Sequence, residues 1–265
     1  MLKFSPCIEM MFREEEFYNR FRAAKLSGVD CCEFWGWSNK DLGLVKEKSQ
    51  EHNIRITSIS VDTKTPEVAA ILGNKRLLYR DSEAQEAFCA AVRESIEVAE
   101  YLDVPSLIVT AGNERNDIPH VEQHTNVVLA LKKAMPLLEG TGIQLILEPL
   151  NVLADHMGYM LPSSYEAFGI VAEVGSPNLK VLYDIYHQQI TEGNLIPTIR
   201  KYFDLIGHFH VADVPGRHEP GTGEINYRNV FAAIESLGYQ KFVGLEYVPT
   251  KDSAETVRQV LEMVK

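Results

Sequence analysis

The sequence predicts a closed (β/α)8 barrel, and three observations carry that expectation. Short apolar runs alternate with longer amphipathic stretches along all 265 residues. The alternation supplies enough strand-then-helix units to close a parallel ring. No glycine-rich phosphate-binding turn follows the first apolar run, as a doubly wound open sheet would usually bring. Barrels of this kind often reach this length as one unit, so residues 1–265 are expected to form a single (β/α)8-barrel domain.

Taken in order, the expected strands are Leu2 to Ile8, Cys31 to Trp35, Ile54 to Val61, Ser106 to Ala111, Gln144 to Glu148, Lys180 to Asp184, Ile206 to Val211 and Phe242 to Glu246. The expected helices lie between them, near Glu14 to Leu26, Lys40 to His52, Glu83 to Leu102, Val121 to Leu138, Ser163 to Val174, Leu195 to Tyr202, Asn229 to Leu237 and Ala254 to Val264. Spacing justifies the helical reading. Phe88, Ala91, Val92, Ser95, Ile96 and Ala99 recur at intervals of three and four, which places them on one face. Gly175 follows such a stretch and precedes a strand, where a helix C-terminus favours a residue tolerant of left-handed geometry.

Composition narrows the function. With 26 Lys and Arg against 37 Asp and Glu, the formal charge is −11, which argues against a nucleic-acid or anionic-membrane partner. No run approaches the roughly 18 apolar residues of a membrane helix. Met1 to Pro6 lack the apolar region and cleavage site of a signal peptide, so a cytoplasmic location is the expectation. Cys7, Cys31, Cys32 and Cys89 form no CxxC pair and read as buried free thiols.

Active sites of such barrels are built at the C-terminal ends of the strands. The fifth expected strand closes on Glu148, the sixth on Asp184, the seventh carries His208 and His210, and the eighth ends on Glu246. Each follows an apolar run. Three converging carboxylates repel one another, and desolvating each costs several kcal/mol. One divalent cation held by Glu148, Asp184, His210 and Glu246 resolves that conflict, and an oxygen-rich shell with one imidazole suits Mn²⁺, Mg²⁺ or Co²⁺. Taken singly, each residue has a blander reading: a carboxylate at a strand end can be a helix N-cap or a rim ion pair, and a strand histidine can be packed core. His208 faces the same way as His210 but lies deeper.

The seventh strand leads into a long loop rich in glycine and proline, Ala212 to Tyr227, and loops of that length in compact domains tend to be functional. Within it, Arg217 is a candidate for binding a substrate oxygen or carboxylate, with a rim salt bridge to Glu219 or Glu224 as the competing reading. His187, just past Asp184, is a candidate hydrogen-bond donor to substrate. Phe12, Trp35 and Trp37 follow the first two strands and are placed either to wall the pocket or to pack its rim.

These residues resemble the hydroxypyruvate isomerase family, within the xylose-isomerase-like barrels that also contain ketose 3-epimerases. The resemblance rests on Leu147-Glu148-Pro149-Leu150-Asn151, Tyr183-Asp184-Ile185-Tyr186-His187, His208-Phe209-His210-Val211-Ala212-Asp213, the loop Pro215 to Tyr227, and Gly244-Leu245-Glu246-Tyr247. It implies metal ligands at Glu148, Asp184, His210 and Glu246, with Glu148 and Glu246 as paired acid and base. It further implies substrate contacts at His187 and Arg217, and Asn151, Trp35 and Phe12 are grouped with these as candidates. The implied activity is a metal-dependent aldose–ketose type isomerisation of a small hydroxy-carbonyl compound through an enediolate. A homodimer or homotetramer is implied by the same analogy. Two departures pull in opposite directions. Some hydroxypyruvate isomerases have Gln where this chain has His210, while the epimerases have His. The epimerases also show a basic-aromatic-acidic run where this chain reads Val152-Leu153-Ala154-Asp155, so a substrate-contacting Glu is missing. A 3-epimerase acting on an unphosphorylated ketose is therefore the near alternative. A metal-dependent dehydratase of a cyclic polyol, an abasic-site endonuclease and a sugar-binding or scaffolding protein are the more distant ones.

Overall fold

A computed structural model describes residues 2–265, those at 74–76 by their backbone only. Among the described residues, nine parallel strand segments follow one another: β1 (Lys3–Pro6), β2 (Cys31–Cys32), β3 (Arg55–Ile56), β4 (Ile59–Ser60), β5 (Ser106–Val109), β6 (Gln144–Leu147), β7 (Leu179–Asp184), β8 (Ile206–Val211) and β9 (Phe242–Leu245). Seven of them pair in the order β1-β9-β8-β7-β6-β5-β4, and β2 pairs with β3. The ring closes through a parallel bridge between Cys7 and Glu33, where the Ile8 N–H donates to the Glu33 carbonyl and the Glu33 N–H to that of Pro6.

The nine segments occupy eight barrel positions, because the expected third strand, Ile54 to Val61, is broken. Its first part pairs with β2 and its second with β5. Thr57 and Ser58 sit at the break, fully buried, with backbones still bonded to Cys32 and Phe34 and hydroxyls that bond Glu33. The second strand is likewise shorter than the expected Cys31 to Trp35.

Among the described residues, ten α-helices accompany these strands: α1 (Arg20–Leu26), α2 (Leu42–Glu51), α3 (Pro66–Lys75), α4 (Ser82–Leu102), α5 (His120–Ala134), α6 (Ser164–Val174), α7 (Ile185–Thr191), α8 (Leu195–Tyr202), α9 (Tyr227–Ser236) and α10 (Ser253–Glu262). α4 buries the face expected for it, including Phe88, Ala91, Val92, Ser95 and Ala99. α6 ends on Gly175 at φ +69°. Two helices were not expected. The described side chains of α3 are mostly exposed apart from a short half-buried stripe of Val68, Ile71 and Leu72, and α7 is seven residues long and starts directly from the end of β7. No described helix is long and apolar enough to cross a membrane.

The barrel interior positions the site. Ile108, Ile146 and Leu182 form a small apolar cluster of their own, separate from the main core beneath the helices. Two residues further along their strands come Glu148 and Asp184, and the same period of two relates His208 to His210 and Gly244 to Glu246. Register places Leu182 opposite His208, Asp184 opposite His210, and His210 opposite Gly244. The strand period thus turns four polar side chains to the inward face, staggered from strand to strand, with Glu246 one inward step beyond the residue opposite His210.

Candidate metal centre

Glu148, Asp184, His210 and Glu246 each offer one ligand atom, and these four atoms lie within 4.8 Å of one another. All four residues are buried. At that separation and an effective dielectric near 20, each pair of ionised carboxylates repels by about 3 kcal/mol. Burial, and after it the neighbouring carboxylates against the pull of His210, raise the Glu148 carboxyl above its ordinary range. Burial also lifts Asp184, to about 6, although His210 and Arg217 pull it down. Glu246 goes the other way: burial would raise it, but His210 and Arg217 outweigh that and hold it well below the usual carboxylate range.

The surroundings fit a cation. Oε1 of Glu148 and Nδ1 of His210 are buried without a hydrogen-bond partner, while Nε2 of His210 lies 2.9 Å from Glu33. His210 Nδ1 lies 3.3 Å from Glu148 Oε1 and 3.5 Å from Glu246 Oε2. Three carboxylates and an imidazole with open valences, converging on one small volume, form the donor set of a hard or borderline dication.

Asp184 combines two of the roles weighed for it. Its Oδ1 caps α7, accepting from the backbone N–H groups of Tyr186 and His187, which leaves Oδ2 facing the cluster. The cap also places His187, whose Nε2 is 3.5 Å from that Oδ2. His187 Nδ1 is 2.7 Å from the side-chain amide of Asn151 and also accepts from the Asn151 backbone N–H, so this network assigns its proton to Nε2. Burial and the Arg217 charge hold the ring neutral, well below its ordinary pKa. Asn151 is itself fully engaged: its Nδ2 also donates to Asp155, and its Oδ1 accepts from the backbone of Ala154 and Asp155.

Arg217 pairs with neither Glu219 nor Glu224. Its guanidinium contacts Glu246 Oε2 at 2.5 Å and lies 3.9 Å from Asp155. Glu219 is turned onto Thr250, and Glu224 accepts from Gln189. The reason is backbone geometry. Arg217 has φ +55°, a left-handed conformation that costs a non-glycine residue about 1–3 kcal/mol. It is held there by its N–H bonding the Asp213 carbonyl and its own carbonyl accepting from Val248. Asp213 organises the whole loop, accepting from the N–H groups of Val214, Gly221 and Ile225. At Gly223 a Cβ would lie 2.1 Å from the Val214 carbonyl oxygen, so only glycine fits that approach.

Trp35 stands at the rim, 40% exposed, and its indole N–H donates to Glu246 Oε1 at 2.8 Å. Both oxygens of Glu246 are therefore held, by Trp35 and by Arg217. Trp37 is buried, with its indole N–H directed to Ser95 of α4. Phe12 is also buried, at φ +56°, and its N–H donates to Ser253.

Two residues near the cluster were not singled out from sequence. Asp155 lies in the stretch without the epimerases' acidic run, yet it accepts from Asn151 and from the Tyr186 hydroxyl and faces Arg217. Glu33 stands directly after β2 and bridges His208 and His210, which meet its two oxygens at 3.0 and 2.9 Å. Burial would raise its carboxyl, but the two imidazoles outweigh that and bring it down to about 2. The signal for Glu33 is its position, one residue past a strand end, as Glu148 and Glu246 also are.

This geometry defines a barrel with a buried cluster of three carboxylates and a histidine, able to hold a metal ion, at the C-terminal ends of its last strands. The xylose isomerase-like TIM barrel family model matches residues 21–265. Hydroxypyruvate isomerase of Escherichia coli (strain K12) is 34% identical over 254 residues, covering 94% of this chain and 94% of that protein. A 2-oxo-tetronate isomerase of Pectobacterium atrosepticum is 30% identical over 254 residues, covering 94% and 93%. A crystal structure described as AP endonuclease, family 2, from Brucella melitensis superposes with a TM-score of 0.89 at 29% identity, covering 99% of each chain. The chain belongs to the xylose isomerase-like TIM barrels and, within them, to the hydroxypyruvate isomerase family.

Proposed function

We propose that the protein is a divalent-metal-dependent isomerase that moves a proton between neighbouring carbons of a small hydroxy-carbonyl acid or short sugar, as the names of its E. coli and Pectobacterium relatives suggest. The observation that carries the reading is the buried cluster of Glu148, Asp184, His210 and Glu246 with its unpartnered polar atoms. These four residues would hold one Mn²⁺, Mg²⁺ or Co²⁺. A bound dication would supply positive charge against the negative charge that develops on the substrate oxygens when a C–H proton is removed.

Glu148 and Glu246 approach from β6 and β9, on two sides of the same volume, and act as the acid and base that remove and return the proton. Such positioned transfer contributes about 10²–10⁴-fold. Trp35 and Arg217 fix both oxygens of Glu246, so this carboxylate is oriented before substrate arrives. His187 offers its Nε2–H to a substrate oxygen, with Asn151 fixing the tautomer from behind. Arg217 presents a permanent cation to a substrate carboxylate or hydroxyl. Trp35, at the rim beside Glu246, limits water around the reacting carbons.

The test is incubation of Mn²⁺-loaded protein in D₂O with hydroxypyruvate, a 2-oxo-tetronate, a panel of unphosphorylated ketoses, an inosose and an abasic oligonucleotide. Proton NMR and gel analysis track the products. Deuterium entering the carbon beside the carbonyl of a small acid supports isomerisation. Inversion at C3 of a ketose identifies an epimerase, loss of water from the inosose a dehydratase, and strand cleavage a nuclease. Any of these three with inert small acids would overturn the proposal.

A further inference from the structure

The geometry points to Glu33 as a positioning residue for the metal centre: from behind His210 it holds Nε2, so that Nδ1 is presented to the dication. This rests on the metal reading above, and three observations carry it. His210 lies between two sets of carboxylates, with Nδ1 toward Glu148 and Glu246 and Nε2 at 2.9 Å from Glu33 Oε1. A ligating histidine whose second nitrogen meets a carboxylate has its tautomer and ring plane set by that partner.

Glu33 is itself anchored. Its Oε2 accepts from His208 Nε2 at 3.0 Å, Ser58 Oγ at 3.1 Å and Thr57 Oγ1 at 3.2 Å, and Thr57 is braced in turn by Ser5 at 2.6 Å. A buried carboxylate with one oxygen tied to three donors presents its other oxygen in a fixed direction, and that oxygen is the one beside His210. The broken third strand is what delivers Thr57 and Ser58 to this task. His208, which the sequence placed on the same face as His210, contributes here through Glu33.

The third observation is a gap kept for this contact. On the inward face of β9, two residues before Glu246, stands Gly244. A Cβ there would lie 2.2 Å from Glu33 Oε1 and 2.5 Å from His210 Cδ2. Any other residue at 244 would collide with both members of the pair. The absent side chain is the space in which Glu33 and His210 meet.

The experiment compares Mn²⁺ affinity, read from the EPR signal of free Mn²⁺, in the wild-type protein, Glu33→Gln and Gly244→Ala. The melting temperature of each metal-free protein is recorded alongside. The expected result is Mn²⁺ binding weakened by about 10–100-fold in both variants. Affinity within twofold of wild type in a folded variant overturns the inference, and a melting temperature lowered at unchanged affinity marks a purely structural role. If neither variant folds, ¹⁵N-histidine NMR of Mg²⁺-loaded wild-type protein decides. His210 protonated at Nε2 with a ligated Nδ1 upholds the inference, and the opposite tautomer overturns it. Wild-type protein that binds no Mn²⁺ refutes the metal reading itself, a separate outcome from unchanged affinity in the variants.

Discussion

Metal binding should stabilise this protein, and should do so more at neutral than at acid pH. A ligand that binds only the folded chain at 100 times its Kd contributes about 2.7 kcal/mol. For 265 residues, an unfolding entropy of roughly 2.1 cal/mol/K per residue totals about 0.56 kcal/mol/K, so the melting temperature should rise by about 5 °C. Asp184 sets the pH dependence. Its folded pKa is raised by burial from an ordinary 3.8 to about 6. A carboxylate shifted upward stabilises the fold only while protonated, so stability is lost as pH rises from about 4 to about 6. For Asp184 alone that difference of about 2 pH units corresponds to roughly 3 kcal/mol. Glu148 is shifted in the same direction. A dication must displace these protons, so its affinity falls as the pH drops below 6. The assay is differential scanning calorimetry in EDTA and in Mn²⁺, between pH 5 and 8. The Mn²⁺-induced rise should be small at pH 5, reach about 5 °C by pH 7.5, and vanish in Asp184→Asn. A rise equal at both pH values, or undiminished in Asp184→Asn, would refute the reasoning.

Three further outcomes rest on particular contacts. Glu148→Gln and Glu246→Gln should each reduce deuterium incorporation from D₂O by at least about 10²-fold, and near-native exchange in either removes that residue from the acid–base pair. On the outer face, His120 and His124 of α5 share Glu166 of α6. Partial burial lowers both histidines, but Glu166 and its neighbours Glu114 and Glu173 outweigh it and raise them above 6.5. Their contribution is complete below pH 6.5 and lost as pH rises through the raised values. At about 0.2–1 kcal/mol per surface pair, the His120→Gln/His124→Gln protein should melt about 1–3 °C below wild type at pH 6 and level with it by pH 9. An equal gap at both would show that charge is not the cause. Gly207→Ala would place a Cβ 2.7 Å from Lys180 Cβ and 2.9 Å from Ile146 Cγ2. Urea denaturation should show a loss of about 1–3 kcal/mol, and unchanged stability would mean that the strands yield.

The fold and the acidic quartet were legible because both arise from short periods in the chain. Alternating strand and helix patterns mark the barrel, and the two-residue strand period puts Glu148, Asp184, His210 and Glu246 on one inward face. The features that escaped depend on contacts distant in sequence or on backbone shape. Glu33 comes after a ladder of only two residues, and its partner His208 is 175 positions away. The break in the third strand has no apolar signature: Thr57 and Ser58 keep backbone bonds to the second strand while their hydroxyls turn onto a buried carboxylate. Arg217 has acidic neighbours at 219 and 224, the natural guesses, yet its left-handed backbone directs it to Glu246. The stripe of α3, Val68, Ile71 and Leu72, covers little more than one turn, and α7 is too short to register as a period.

The tetrad of Glu148, Asp184, His210 and Glu246 is tested most directly by anomalous diffraction from crystals grown with Mn²⁺ and measured on both sides of the manganese edge. One peak per chain should lie among these four side chains, with ligand atoms at about 2.0–2.2 Å. A peak elsewhere, or none at saturating Mn²⁺, would contradict a metal centre at the end of this barrel.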